Sequence, residues 1–70
     1  MSHETINELL HRRPFLPFRL RLSSGETHEV RHPEFAILLR SRIIIGDPVM
    51  DRSVTCALLH IASVEEVQAV

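Results

Sequence analysis

Arg12, Arg13, Arg19 and Arg21 place four guanidinium groups within ten residues, with no acid between them. That is chemistry suited to phosphate, because guanidinium groups stay charged at physiological pH and present paired N–H donors that match phosphate oxygens. The same residues also suit a structural role. Arg12 and Arg13 would complement the negative end of a helix dipole, and Arg19 and Arg21 would pair with carboxylates such as Glu29. Binders of single-stranded nucleic acid usually add aromatic platforms on which bases stack. This chain has no Trp and no Tyr, and its three Phe residues sit in apolar patterns. Eight arginines, no lysine and nine acids leave a net charge of −1, which argues against a general attraction to nucleic acid or anionic membrane.

Five histidines raise the question of a metal. His28, Glu29 and His32 are the closest set, but residues four apart on a strand are separated by roughly 13 Å, too far to share one ion. His3 and His11 are eight apart, so no helical pair at four-residue spacing exists. Cys56 lies in an apolar stretch, where thiols are usually inert packing groups, and His60 is too far along a strand to activate it. Asp47 and Asp51 flank a loop and read as turn formers. Two glycines cannot make a phosphate-cradling loop. The expectation is a protein without catalytic residues, metal or cofactor.

Apolar side chains are the remaining signal. They make up 44% of 70 residues, and mean hydropathy is +0.05. A chain this short buries only about 60% of the surface its unfolded form exposes, so it usually needs a staple. One cysteine rules out an internal disulfide. That leaves an efficient core, with the helix stripe covering the apolar strands within one monomer, or oligomerisation. The apolar excess favours self-association, with Phe35, Ile37, Leu39, Ile44 and Leu59 as the candidate contact surface and a homo-oligomer as the expected state. A different protein partner would fit the same surface. The first residues lack the charged-then-apolar pattern of a signal peptide, the longest apolar runs are five residues, and a lone thiol suits a reducing compartment. The chain reads as cytoplasmic and not membrane-bound.

The elements that must position these residues follow from periodicity, and they form a single domain over 1–70. Ile6, Leu9 and Leu10 make one apolar stripe on a helix predicted over 2–13, with Ser2 and Thr5 as competing caps. Phe18 to Leu22 alternates as a half-buried strand. A three-residue turn at Ser23-Ser24-Gly25, with Gly25 at positive φ, returns it to a strand over 26–31 and pairs Phe18 with Val30, Leu20 with His28 and Arg19 with Glu29. Pro33 ends that strand. Strands over 35–39 and 42–46 form a second hairpin, apolar on both faces, and a long strand covers 53–60. Residues 63–70 read either as a short helix capped by Ser63 or as a brief strand after a bend.

Two resemblances arise on these residues. Leu9-Leu10-His11-Arg12-Arg13-Pro14-Phe15-Leu16-Pro17-Phe18-Arg19, then Leu22-Ser23-Ser24-Gly25 and Val30-Arg31-His32-Pro33-Glu34, resembles a string carried by a family of short uncharacterised bacterial proteins. That resemblance implies no activity. The order of elements is similar in layout to Sm-like small barrels, which form rings and bind RNA, although His32-Pro33-Glu34 interrupts what would be their long bent second strand. The expected architecture is α+β, with the helix packed on an antiparallel sheet or small open barrel of about five strands. The expected function is a non-catalytic, self-associating interaction module. A small RNA- or DNA-binding module using Arg12, Arg13, Arg19 and Arg21 is the alternative.

Overall fold

The computed structural model describes residues 1–67. Helix α1 covers His3–His11, with strands β1 Phe18–Leu22, β2 Thr27–Val30, β3 Ala36–Leu38, β4 Arg42–Asp47, β5 Arg52–Ala57 and β6 Ile61–Glu66. The strands form two antiparallel three-stranded sheets, in the orders β2-β1-β6 and β3-β4-β5. The fold is therefore α+β, and no barrel closes among the described residues. The chain passes from the first sheet to the second through a 3₁₀ turn at Pro33–Phe35, and back through another at Leu58–His60.

The helix starts at Ser2, whose hydroxyl accepts the Thr5 N–H at 3.2 Å. Ser2, not Thr5, is the cap, and it satisfies one of the donors that every helix start leaves open. The helix ends at His11, short of the predicted 13, with Arg12 already extended. Arg13 precedes Pro14, and the residue before a proline is turned away from helical geometry, so the helix could not readily run on to 13.

The first hairpin has the register that parity requires. Phe18 faces Val30, Arg19 faces Glu29 and Leu20 faces His28, with Gly25 at φ 96°. Strand β2 stops at Val30, one residue earlier than expected, and Phe35 belongs to the 3₁₀ turn, which shortens β3 to three residues.

The largest correction concerns residues 53–60. The strand ends at Ala57, and Leu58–His60 form a tight turn whose first N–H bonds to the Ser41 carbonyl at 2.9 Å. The Ser23 N–H bonds to the His60 carbonyl at 2.9 Å, which ties this corner to the first hairpin. Beyond the corner β6 pairs with β1, making six strands where about five were expected. Residues 63–66 are therefore strand rather than helix, and 68–70 lie outside the described residues.

One core fills the space between the sheets. Phe18, Leu20 and Val30 come from the first sheet, Ile43, Ile45 and Cys56 from the second, and Ile6 and Leu10 from the helix, which lies beside β3. Leu58 and Ile61 complete the core at the corner, which explains an apolar run that does not belong to one strand.

Candidate interaction surfaces

Alternation puts Arg19 and Arg21 on the outer face of the first sheet, where β1 lies between β2 and β6. Arg19 stands between Glu29 on one side and Glu65 on the other. Its guanidinium is 3.5 Å from the Glu29 carboxylate, and Arg21 reaches Glu65 at 3.1 Å. Arg31 approaches the second oxygen of Glu29 at 3.1 Å. Arg12, just past the helix, bonds Glu66 at the end of β6 at 3.1 Å, while its Nε and Nη2 atoms are buried without a hydrogen-bond partner among the described residues. Arg13 is exposed and has no ion pair among the described residues. The four arginines thus do not converge on one anion. Three meet carboxylates, and each such exposed pair contributes about 0–1 kcal/mol.

The apolar candidates separate into two places. Ile37 faces Ile44, and Ile44 faces Thr55, so these three form one row across the outer face of the second sheet. Ile37 is 58% exposed and Ile44 is half-buried, while their neighbours Ile43 and Ile45 point into the core. Leu39 continues that face past the end of β3 and is also exposed. Half-buried Phe35 borders the row and packs edge-on against His32, with ring centres 5.1 Å apart. Leu59, 79% exposed, stands apart on the corner turn. Val49 and Met50, also exposed, cap the β4–β5 turn, a patch that sequence reasoning misses because they sit beside Pro48 and Asp51 in a loop-like stretch.

A groove of about 740 Å³ opens between β2 and the far end of the β4–β5 hairpin, with Phe35, Ile45 and Val54 among its apolar lining. Spacing along single strands could not have found it, since it exists only where the two sheets part.

Cys56 is buried in the core. Burial pushes its thiol up from the ordinary value of 9.0, and the Glu26 carboxylate adds a smaller upward push. Both effects favour the neutral thiol over the thiolate. Among the described residues no three His, Cys, Asp or Glu side chains cluster closely enough to hold a metal ion. No helix there is long and apolar enough to cross a membrane.

No family model, curated protein or solved structure matches this chain. Its own surfaces are therefore the guide to function.

Proposed function

We propose that this chain is a non-catalytic interaction module of the cytoplasm that associates with copies of itself through the outer face of β3 and β4. The observation that carries this reading is the row of Ile37 and Ile44, with Leu39 beside it, open to water on a sheet whose other face already fills the core. A lone exposed leucine needs no explanation, but adjacent β-branched side chains on one sheet face are the kind of patch that partners cover. A standard contact buries about 800 Å² per partner, more than these side chains supply, so Thr55 and Arg42 on the same face would form its polar rim. Kinship with the short bacterial proteins that carry the Pro-Phe-x-Pro-Phe string is part of the proposal and adds no activity to it.

The test is light scattering after size-exclusion chromatography, detected by refractive index because the chain has no Trp or Tyr to absorb at 280 nm. A mass at a multiple of 8.0 kDa is expected, and an 8.0 kDa monomer at millimolar concentration would refute the proposal.

One observation favours the alternative of a nucleic-acid module. Arg13 is exposed beside Arg12 and faces no carboxylate among the described residues. Absorbance at 260 nm that travels with the protein and falls in high salt would move the conclusion to this reading.

A further inference from the structure

The groove beside β2 runs along a strand edge rather than over a sheet face. Thr27, His28 and Glu29 line it in succession, as do Arg52, Ser53 and Val54 opposite. A cavity over a face would be lined by alternate residues, because side chains alternate along a strand. Backbone bonding gives the same answer. Leu22 donates to the Glu26 carbonyl at 2.8 Å, and bonded pairs recur at every second position of an antiparallel ladder. Leu20–His28 and Phe18–Val30 are therefore the bonded pairs, and the N–H and C=O groups of Thr27 and Glu29 point away from β1. Strand β2 has no second strand neighbour, and no other backbone group bonds to these atoms among the described residues. The helix, which could have covered an edge, lies beside β3 instead.

The charges around the groove are unevenly engaged. Glu29 already meets Arg19 and Arg31, and the Asp47 carboxylate accepts the Val49 and Met50 N–H groups at 3.1 and 3.2 Å. Arg52 has no ion pair among the described residues. The Nε2 atom of His28 is buried without a hydrogen bond, although the Glu26 carboxylate lies 3.4 Å away. Arg52 is the one charged side chain lining the groove with neither an ion pair nor a side-chain hydrogen bond among the described residues, so the complementary ligand brings a carboxylate.

We propose that this groove takes an extended, acidic peptide segment of a partner protein, added as a strand to the free edge of β2. Its main chain meets Thr27 and Glu29, and alternate side chains face the groove. Apolar ones lie over Phe35, Ile45 and Val54, and a carboxylate at the end of that same face reaches Arg52, which shares the inward parity of Val54. Strand addition of this kind draws affinity from main-chain bonds and specificity from pockets for every second side chain. A second copy of β2 is a poorer occupant. The two antiparallel registers that overlap most of the strand set Glu29 against Glu29 or His28 against His28, and neither brings a spare carboxylate.

The experiment is an amide NMR titration of the ¹⁵N-labelled protein with two capped peptides, Val-Thr-Val-Thr-Glu and Val-Thr-Val-Thr-Lys, whose charged side chain shares a face with the valines, and with sodium acetate. The acidic peptide should shift the amides of Thr27, Glu29 and Arg52 and slow hydrogen exchange at Thr27 and Glu29. Binding should weaken at least tenfold for the lysine peptide and for Arg52→Glu. It should vanish in Thr27→Pro, which removes an N–H that points away from β1 and leaves the β1 ladder intact. If Thr27→Pro does not fold, Arg52→Glu and the lysine peptide still decide. Five results would each overturn the proposal: no shift at millimolar peptide, shifts centred on β5 or β6 edges alone, equal binding of both peptides, acetate alone reproducing the shifts (a small-anion site), or concentration-dependent shifts at Thr27 and Glu29 without peptide (a second copy).

Discussion

Replacing Ile37 with threonine tests the self-association face without disturbing the core. Threonine is also β-branched, so strand preference is kept while apolar area is lost. Ile37 is 58% exposed in the single chain. Complete burial of such a side chain is worth about 1.5–3 kcal/mol, so covering the exposed fraction is worth about 0.9–1.7 kcal/mol. A two-fold contact contains Ile37 from each copy, and the combined contribution is about 2–3.5 kcal/mol. At about 1.4 kcal/mol per factor of ten, the dissociation constant should rise between about twentyfold and about three hundredfold. The single chain should unfold within about 1 kcal/mol of the parent, because over half of the side chain already faces water. Sedimentation equilibrium with interference optics measures the first quantity, and urea unfolding followed by circular dichroism measures the second. A dissociation constant unchanged within threefold would refute the assignment of this face. A large stability loss with unchanged association would mean that Ile37 serves packing instead.

Three further outcomes follow from the packing. Ser2→Ala removes the acceptor for the Thr5 N–H and should lower stability by about 1 kcal/mol in urea unfolding. Phe18→Ala empties a fully buried site between the sheets. It should cost about 3–5 kcal/mol, comparable to the whole stability of so small a domain, so the variant should show little native circular dichroism at 25 °C. The Cys56 thiol has a folded pKa above its ordinary value, so the unfolded chain gives up this proton first as pH rises. Its contribution is whole below about pH 9 and is lost above it, at a slope of up to about 1.4 kcal/mol per pH unit. Stability of the parent should fall above about pH 9 relative to Cys56→Ala measured in parallel, and identical pH profiles would show that burial does not hold the thiol.

Short-range rules are enough for the elements whose pattern is local. Phe18 to Leu22 alternates, Gly25 accepts the left-handed turn, and parity then allows one register, so the first hairpin follows from the order of its residues alone. The helix is legible for the same reason, since Ile6 and Leu10 share a stripe and Pro14 stops it. The corner at Leu58–His60 is not. Leu58 faces the core in a tight turn as it would in a strand, and burial alone cannot tell the two apart. What makes it a turn is the need to carry the chain from beside β4 to beside β1, fixed by bonds to Ser41 and Ser23 far away in sequence.

The sites divide along the same line. Composition and alternation by themselves determined that Arg19 and Arg21 share a wet face, that Cys56 is core, and that Ile37 and Ile44 belong to a hairpin with more apolar surface than one core can use. Only the tertiary structure decided which carboxylates the arginines meet, because Glu65 and Glu66 reach them through β6, a strand whose pairing depends on the corner. It alone placed Leu59 away from Ile37, and it alone opened the groove. A strand's own pattern specifies which face it buries, but not which of its edges is left without a neighbour. That is set by how the two sheets part around a core too small to close them.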